Sequence, residues 1–140
     1  MSGRIFLDTN LWVYAYSRNP VEKAQTIEAL VDNPSEEVQI STQVLGELFN
    51  VLTRKKLTPQ ANAVVIVTEL INDFTVLEID TPKVLQAIEI NSRYRYTYWD
   101  SLIIATALSS DCTILYSEDM QHNQLIENKL RILNPFTPVA

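Results

Sequence analysis

Short apolar runs of strand length alternate with longer segments of helical periodicity along the whole chain, and this alternation points to a mainly parallel sheet covered by helices on both faces. Ile5-Phe6-Leu7 is the first run, closed by Asp8-Thr9-Asn10, which predicts a buried strand ending in a turn or helix cap. Leu11 to Tyr16 and Val21 to Val31 predict two consecutive helices, interrupted by Arg18-Asn19-Pro20. After the Asn33-Pro34-Ser35 loop, Val38-Gln39-Ile40 reads as a strand and Ser41-Thr42 as the N-cap of a helix reaching about Arg54. A helix from Thr58-Pro59 to about Asn72, a strand from Phe74 to Ile79, and a helix from Val84 to Asn91 behind an Asp80-Thr81-Pro82 cap continue the pattern. Tyr98-Trp99-Asp100 opens an apolar helix to about Leu108, Cys112 to Tyr116 is a strand, and Leu130 to Leu133 is the last one. No repeat or linker divides these 140 residues, so the expectation is a single α/β domain over residues 1–140 whose core needs no disulfide or structural metal.

Composition narrows the chemistry. One cysteine (Cys112) and one histidine (His122) exclude a Cys/His zinc site and argue against a Cys-His nucleophilic dyad. Any tightly held cation is therefore expected on carboxylates. The balance of 17 acidic and 11 basic side chains, net −6, argues against coating nucleic acid by charge alone but leaves room for a nuclease with a local basic patch. The first residues break with a charge after three apolar positions, which reads as neither a signal peptide nor a membrane span, so a cytoplasmic protein without membrane contact is expected.

Four acids stand out by position. Ligands of open α/β sheets bind beyond the carboxyl ends of the strands, where Asp8 and Asp119 fall. Each also has an ordinary explanation, Asp8 as a helix cap and Asp119 as a polar turn residue. Glu47 borders the Val44, Leu48 and Val51 stripe of its helix, and Asp100 lies on the face of Ile103, Ile104 and Ala107. Here too a structural account exists: Asp100 as an acid favoured by the helix dipole, Glu47 as a side chain reaching solvent or pairing with Arg54 or a lysine. If the four converge, their mutual repulsion requires a divalent cation, and hard oxygen donors suit Mg²⁺ or Mn²⁺. Cations so held orient a phosphate, ionise a water and stabilise the charge of an in-line displacement, which is phosphodiester chemistry without histidine or cysteine.

Ile-Phe-Leu-Asp8-Thr9-Asn10, Glu47 after Ile-Ser-Thr-Gln-Val-Leu-Gly, Tyr-Trp-Asp100-Ser-Leu-Ile-Ile-Ala and Leu-Tyr-Ser117-Glu118-Asp119-Met, in this order, resemble the acidic motifs of PIN-domain ribonucleases, most closely the VapC-like toxins. The resemblance covers essentially the whole chain. It implies a three-layer α/β/α PIN fold, Mg²⁺ or Mn²⁺ dependence, endonucleolytic RNA cleavage, a homodimer, and inhibition by a VapB-type antitoxin. Asp8, Glu47 and Asp100 match the family's core acids, Asp119 a more variable fourth, and Ser117 a small hydroxyl residue supporting the site. Thr9 and Asn10 match the polar pair after the first acid, expected to orient Asp8 and water. One departure is Asn123, where relatives usually carry glycine, which puts the backbone conformation of that loop in question. A haloacid-dehalogenase-like phosphatase requires a second aspartate where this chain has Asn10, and no receiver-domain pattern is present. The remaining rival is a PIN fold with weak catalysis acting as a binding module, which the four filled acidic positions disfavour.

Substrate-facing features are less specific. Arg93-Tyr94-Arg95-Tyr96 interleaves cations with aromatic rings as a single-strand platform does, and equally suits an exposed loop with half-buried tyrosines. Arg54-Lys55-Lys56 is placed to steer a phosphate backbone, although cations at a helix C-terminus are expected from the dipole anyway. Trp12, Tyr14 and Tyr16 divide between core and interface in a way the sequence leaves open. His122 reads as a polar loop residue and Cys112 as buried and inert.

Overall fold

The structure is a computed structural model and describes residues 3–138. The elements run β1 (Gly3–Leu7), α1 (Thr9–Ser17), α2 (Val21–Val31), β2 (Glu36–Ser41), α3 (Thr42–Arg54), α4 (Gln60–Asp73), β3 (Thr75–Leu77), α5 (Thr81–Tyr94), α6 (Tyr98–Ser109), β4 (Ile114–Tyr116), β5 (Leu125–Ile126) and β6 (Leu130–Leu133). They build one sheet in the order β3-β2-β1-β4-β6-β5, parallel except for the β5–β6 pair.

This order carries a consequence for binding. The chain steps outward from β1 to β2 and β3, then returns to place β4 on the other side of β1. Right-handed crossovers running in opposite directions deposit their helices on opposite faces, so α1 to α4 cover one face and α5 with α6 the other. The result is a three-layer α/β/α architecture with the strand order reversing at β1 and β4. At that reversal the segments leaving the two strands diverge and a crevice opens beyond their carboxyl ends.

Local chemistry explains most element boundaries. Asp8 caps α1 by accepting the Thr9 N–H, so this helix begins at Thr9 and not at the first apolar residue, Leu11. Ser41 caps α3 through the Val44 N–H, Asp80 caps α5 through the Lys83 N–H, and Thr97 caps α6 through the Asp100 N–H. α5 continues beyond Asn91 to Tyr94 and stops where Arg95 turns left-handed, its N–H returning to the Asn91 carbonyl. β3 is shorter than the Phe74 to Ile79 expectation, because Phe74 still closes α4 by donating its N–H to the Leu70 carbonyl. β5 was not legible as a strand. It is a two-residue arm joined to β6 through Glu127-Asn128, both left-handed, with the Lys129 N–H bonded to the Ile126 carbonyl. Three residues, Glu127-Asn128-Lys129, thus link the two strands, and the left-handed pair is built without the glycine that normally announces such a turn.

The core gathers Ile5, Phe6 and Leu7 of β1, Ile40 of β2, Leu48 and Leu52 of α3, Ile104 of α6 and Leu115 of β4, all fully buried. α6 is buried from Ser101 through Leu108, which explains its apolar character all round. Trp12 belongs to this core, edge-on to Phe74 at 5.5 Å, while Tyr16 reaches the surface. Cys112 is buried, and burial pushes its thiol up to about 11, consistent with an inert side chain. None of the helices is long and apolar enough to cross a membrane among the described residues.

Candidate active site

A cleft of about 310 Å³ lies at the reversal and is lined by Asp8, Thr9, Asn10, Glu47, Asn50, Val51, Arg54, Asp100, Ile103 and Asp119. All four acids singled out in the sequence therefore face one space, although more than a hundred residues separate the first from the last. The end of β1 delivers Asp8, the segment after β4 delivers Asp119, the cleft-facing side of α3 delivers Glu47, and the first turn of α6 delivers Asp100.

Asp8 is the most buried of them, at 8% exposure. Its Oδ1 accepts the Thr9 N–H at 2.7 Å and its Oδ2 accepts the Ser117 hydroxyl at 2.9 Å. Ser117 Oγ in turn accepts the Met120 N–H at 3.2 Å, so the hydroxyl is held from both sides. Burial pushes the Asp8 carboxyl up to about 6; the Ser117 and Thr9 bonds oppose the rise, and the charges of Asp100 and Glu47 add to it. Burial also raises Asp100, with Asp119 and Glu47 contributing as neighbouring negative charges. The cleft thus concentrates negative potential on Asp8 and Asp100.

Thr9 and Asn10 do more than the sequence suggested. The Thr9 backbone orients Asp8, while its hydroxyl donates to Glu47 Oε1 at 2.6 Å. Asn10 Nδ2 donates to Asp119 Oδ2 at 2.8 Å. The pair after the first acid therefore aims two other acids across the sheet reversal. Glu47 also accepts from Gln43 Nε2 at 3.3 Å, and that amide donates to the Trp99 carbonyl at 3.1 Å, tying α3 to the start of α6. Gln43 is a supporting residue that sequence reasoning missed; its only signal was its place one turn before Glu47. Asn50 was missed in the same way. Glu47 makes no ion pair with Arg54 among the described residues.

Other candidates lie elsewhere. Arg93 pairs with Glu127 at 2.5 Å, Arg95 is exposed at the end of α5, and neither lines the cleft. Tyr94 and Tyr96 are half-buried and spend their hydroxyls on the 121–127 loop, Tyr94 donating to Glu127 and Tyr96 to Gln124. Glu118, between Ser117 and Asp119, turns away to Lys23 and the Tyr14 hydroxyl. His122 Nδ1 accepts the Asn134 N–H at 2.9 Å outside the cleft. Asn123 has φ 69°, the left-handed conformation that asparagine tolerates better than most residues, which accounts for the absence of glycine there.

The donor set is all oxygen, the chemistry that Mg²⁺ and Mn²⁺ take. No three Asp, Glu, His or Cys side chains among the described residues lie close enough together to hold a metal ion between them. Mg²⁺ keeps several waters and is held by one or two carboxylates, so an open acidic cleft suits it better than a cage does.

The family model described as PIN domain matches residues 5–127. The chain belongs to the PIN domain family. Solved structures that share its fold include VapBC2 from Rickettsia felis bound to a promoter DNA fragment, with TM-score 0.68 and 19% identity over 94% of this chain and 99% of that one. The sarcin-ricin loop cleaving toxin VapC20 of Mycobacterium tuberculosis aligns with TM-score 0.64 and 22% identity, covering 79% of this PIN domain chain and 86% of its own. A toxin-antitoxin complex from Klebsiella pneumoniae gives TM-score 0.69 and 17% identity, over 94% and 98%. No curated protein matches the sequence. The PIN domain match runs from β1 to the β5–β6 turn and so contains all four cleft acids.

Proposed function

We propose that this PIN domain protein is a Mg²⁺- or Mn²⁺-dependent endoribonuclease, the toxin of a VapBC-type pair, acting in the cytoplasm as a homodimer and restrained by a VapB-type antitoxin. The observation that carries this reading is the gathering of Asp8, Glu47, Asp100 and Asp119 around one cleft at the strand-order reversal. The fold shared with VapC toxins, one of them described as a sarcin-ricin loop cleaving toxin, supports the choice of RNA as substrate.

In this reading Asp8, Glu47, Asp100 and Asp119 are the residues that would hold the cation. A cation held there would supply a water ionised near neutral pH and would offset charge on the phosphate. The protein's own contribution is to hold its carboxylates in place. Ser117 and the Thr9 N–H fix the plane of Asp8, Thr9 and Gln43 fix Glu47, and Asn10 aims Asp119. Such outer partners set ligand orientation and basicity, and their loss weakens metal binding. An antitoxin side chain bearing a cation would compete with metal for the same carboxylates.

The test is cleavage of a panel of structured and single-stranded RNAs by the purified protein with Mg²⁺, with Mn²⁺ and with EDTA, beside Asp100→Asn. Cleavage lost in EDTA and in the variant is the expected result. Cleavage unaffected by both contradicts the mechanism, and failure to cleave or to bind Mn²⁺ favours a catalytically weak binding module.

A further inference from the structure

The cleft's acids account for a cation and a phosphate but leave its other groups unexplained. Two of those groups, Asn50 and Arg54, form a line with Glu47. On α3, Glu47, Asn50 and Arg54 recur at helical spacing along one wall, with the backbone positions of Glu47 and Arg54 roughly 10 Å apart along the helix axis. Arg54 is the only cation lining the cleft, and it makes no ion pair among the described residues. A free guanidinium beside four carboxylates, none of which it pairs with, remains available to an anion from outside.

At the start of α6, Trp99 is 62% exposed, more than any other large hydrophobic side chain described. It immediately precedes Asp100, and its ring is roughly perpendicular to that of Tyr98 with centroids 5.0 Å apart, while most of its surface is open to solvent. Gln43 fixes its backbone by bonding the Trp99 carbonyl and Glu47 with one amide. An indole held in water next to a charged cleft, on an anchored backbone, has the character of a stacking surface and not of core. Tyr94 and Tyr96, the rings that the sequence offers for this task, are engaged in holding the neighbouring loop.

We propose that Trp99 and Arg54 select the substrate: Trp99 stacks an unpaired base next to the reacting phosphate, and Arg54 binds a phosphate farther along the same strand. The inference rests on the reading of the cleft as a ribonuclease site. Base stacking on an aromatic ring is tolerant of sequence and requires a base free of its partner, so a rigid duplex gains from Arg54 but not from Trp99. A charge contact to a single strand is read in the salt dependence, at about 0.7 in log–log slope per phosphate.

The test is binding of an unstructured oligoribonucleotide and of a blunt RNA duplex, followed by tryptophan emission and anisotropy in EDTA and again with Ca²⁺. The chain has two tryptophans, and Trp12 is buried, so quenching on stacking reports Trp99. The single strand is expected to quench saturably. Trp99→Ala is expected to weaken single-strand binding about ten-fold, with Trp99→Phe intermediate and duplex binding unchanged. Arg54→Gln is expected to lower the salt slope by about 0.7 for the single strand and by about 0.9 for the duplex. Equal affinity for both RNAs in the wild type, an unchanged affinity in Trp99→Ala, or an unchanged slope in Arg54→Gln overturns the proposal. A Trp99→Ala protein that changes only its sedimentation places the ring in a subunit contact and overturns it as well. Because these readouts need no cleavage, they separate failure of this inference from failure of the nuclease reading.

Discussion

Replacing Asp8 by asparagine removes a charge that the metal-free fold holds at a cost, and the cost has a defined pH signature. The folded carboxyl sits at about 6 against an ordinary value of 3.8. Between those values the native state binds more protons than the unfolded state, so stability falls as pH rises from about 4 to about 6 and the penalty is constant above. The difference corresponds to about 3 kcal/mol near pH 7.5, against less than ~1 kcal/mol near pH 4. The asparagine side chain does not ionise and carries no such penalty. It retains an acceptor for the Thr9 N–H but meets Ser117 with an amide where a carboxylate oxygen accepted the hydroxyl, which subtracts a pH-independent amount. Urea unfolding of both proteins in EDTA from pH 4 to pH 7.5 should therefore show Asp8→Asn gaining on the wild type by about 2 to 3 kcal/mol across the range. Added Mn²⁺ should reverse the gain, since a ligand that binds only the native wild type stabilises it in proportion to log concentration. A stability difference that does not change with pH would refute the argument.

Ser117→Ala removes a hydroxyl that bonds both Asp8 and the Met120 N–H in a fully buried position, and a loss of about 1 to 3 kcal/mol is expected in the same unfolding assay. Thr9→Val leaves the backbone bond to Asp8 but frees Glu47, so Mn²⁺ affinity by calorimetry should fall about 10- to 100-fold while the melting temperature changes little. Asn123→Ala should cost about 1 kcal/mol through its left-handed backbone and the lost side-chain bond to Arg131, whereas Asn123→Gly should recover part of that loss.

Where a signal is local, the sequence carries it. β1, β2, β4 and β6 lie within or against their apolar runs, and the caps at Ser41 and Asp80 start their helices as their side chains require. Asp8 and Asp119 were legible as candidates because strand ends are where open sheets bind, and Glu47 and Asp100 because a carboxylate beside an apolar stripe needs a reason; the structure sets all four around one cleft. What stayed hidden depends on sheet order. The Asn10–Asp119 bond joins residues 109 apart and exists only because β4 lies beside β1. The same holds for Thr9 on Glu47, which needs α1 and α3 on one face, and for Gln43 bridging to Trp99. β5 was hidden for a different reason, since Glu127-Asn128 adopts a left-handed pair that its residue types do not advertise.

The central claim, that these carboxylates form one metal-binding centre, is tested most directly by titrating Mn²⁺ into the wild type and into the Asp8→Asn, Asp100→Asn double variant, with free Mn²⁺ followed by electron paramagnetic resonance. Saturable binding by the wild type that the double variant loses is the predicted result. Equal binding by both proteins, or none by the wild type, would contradict it.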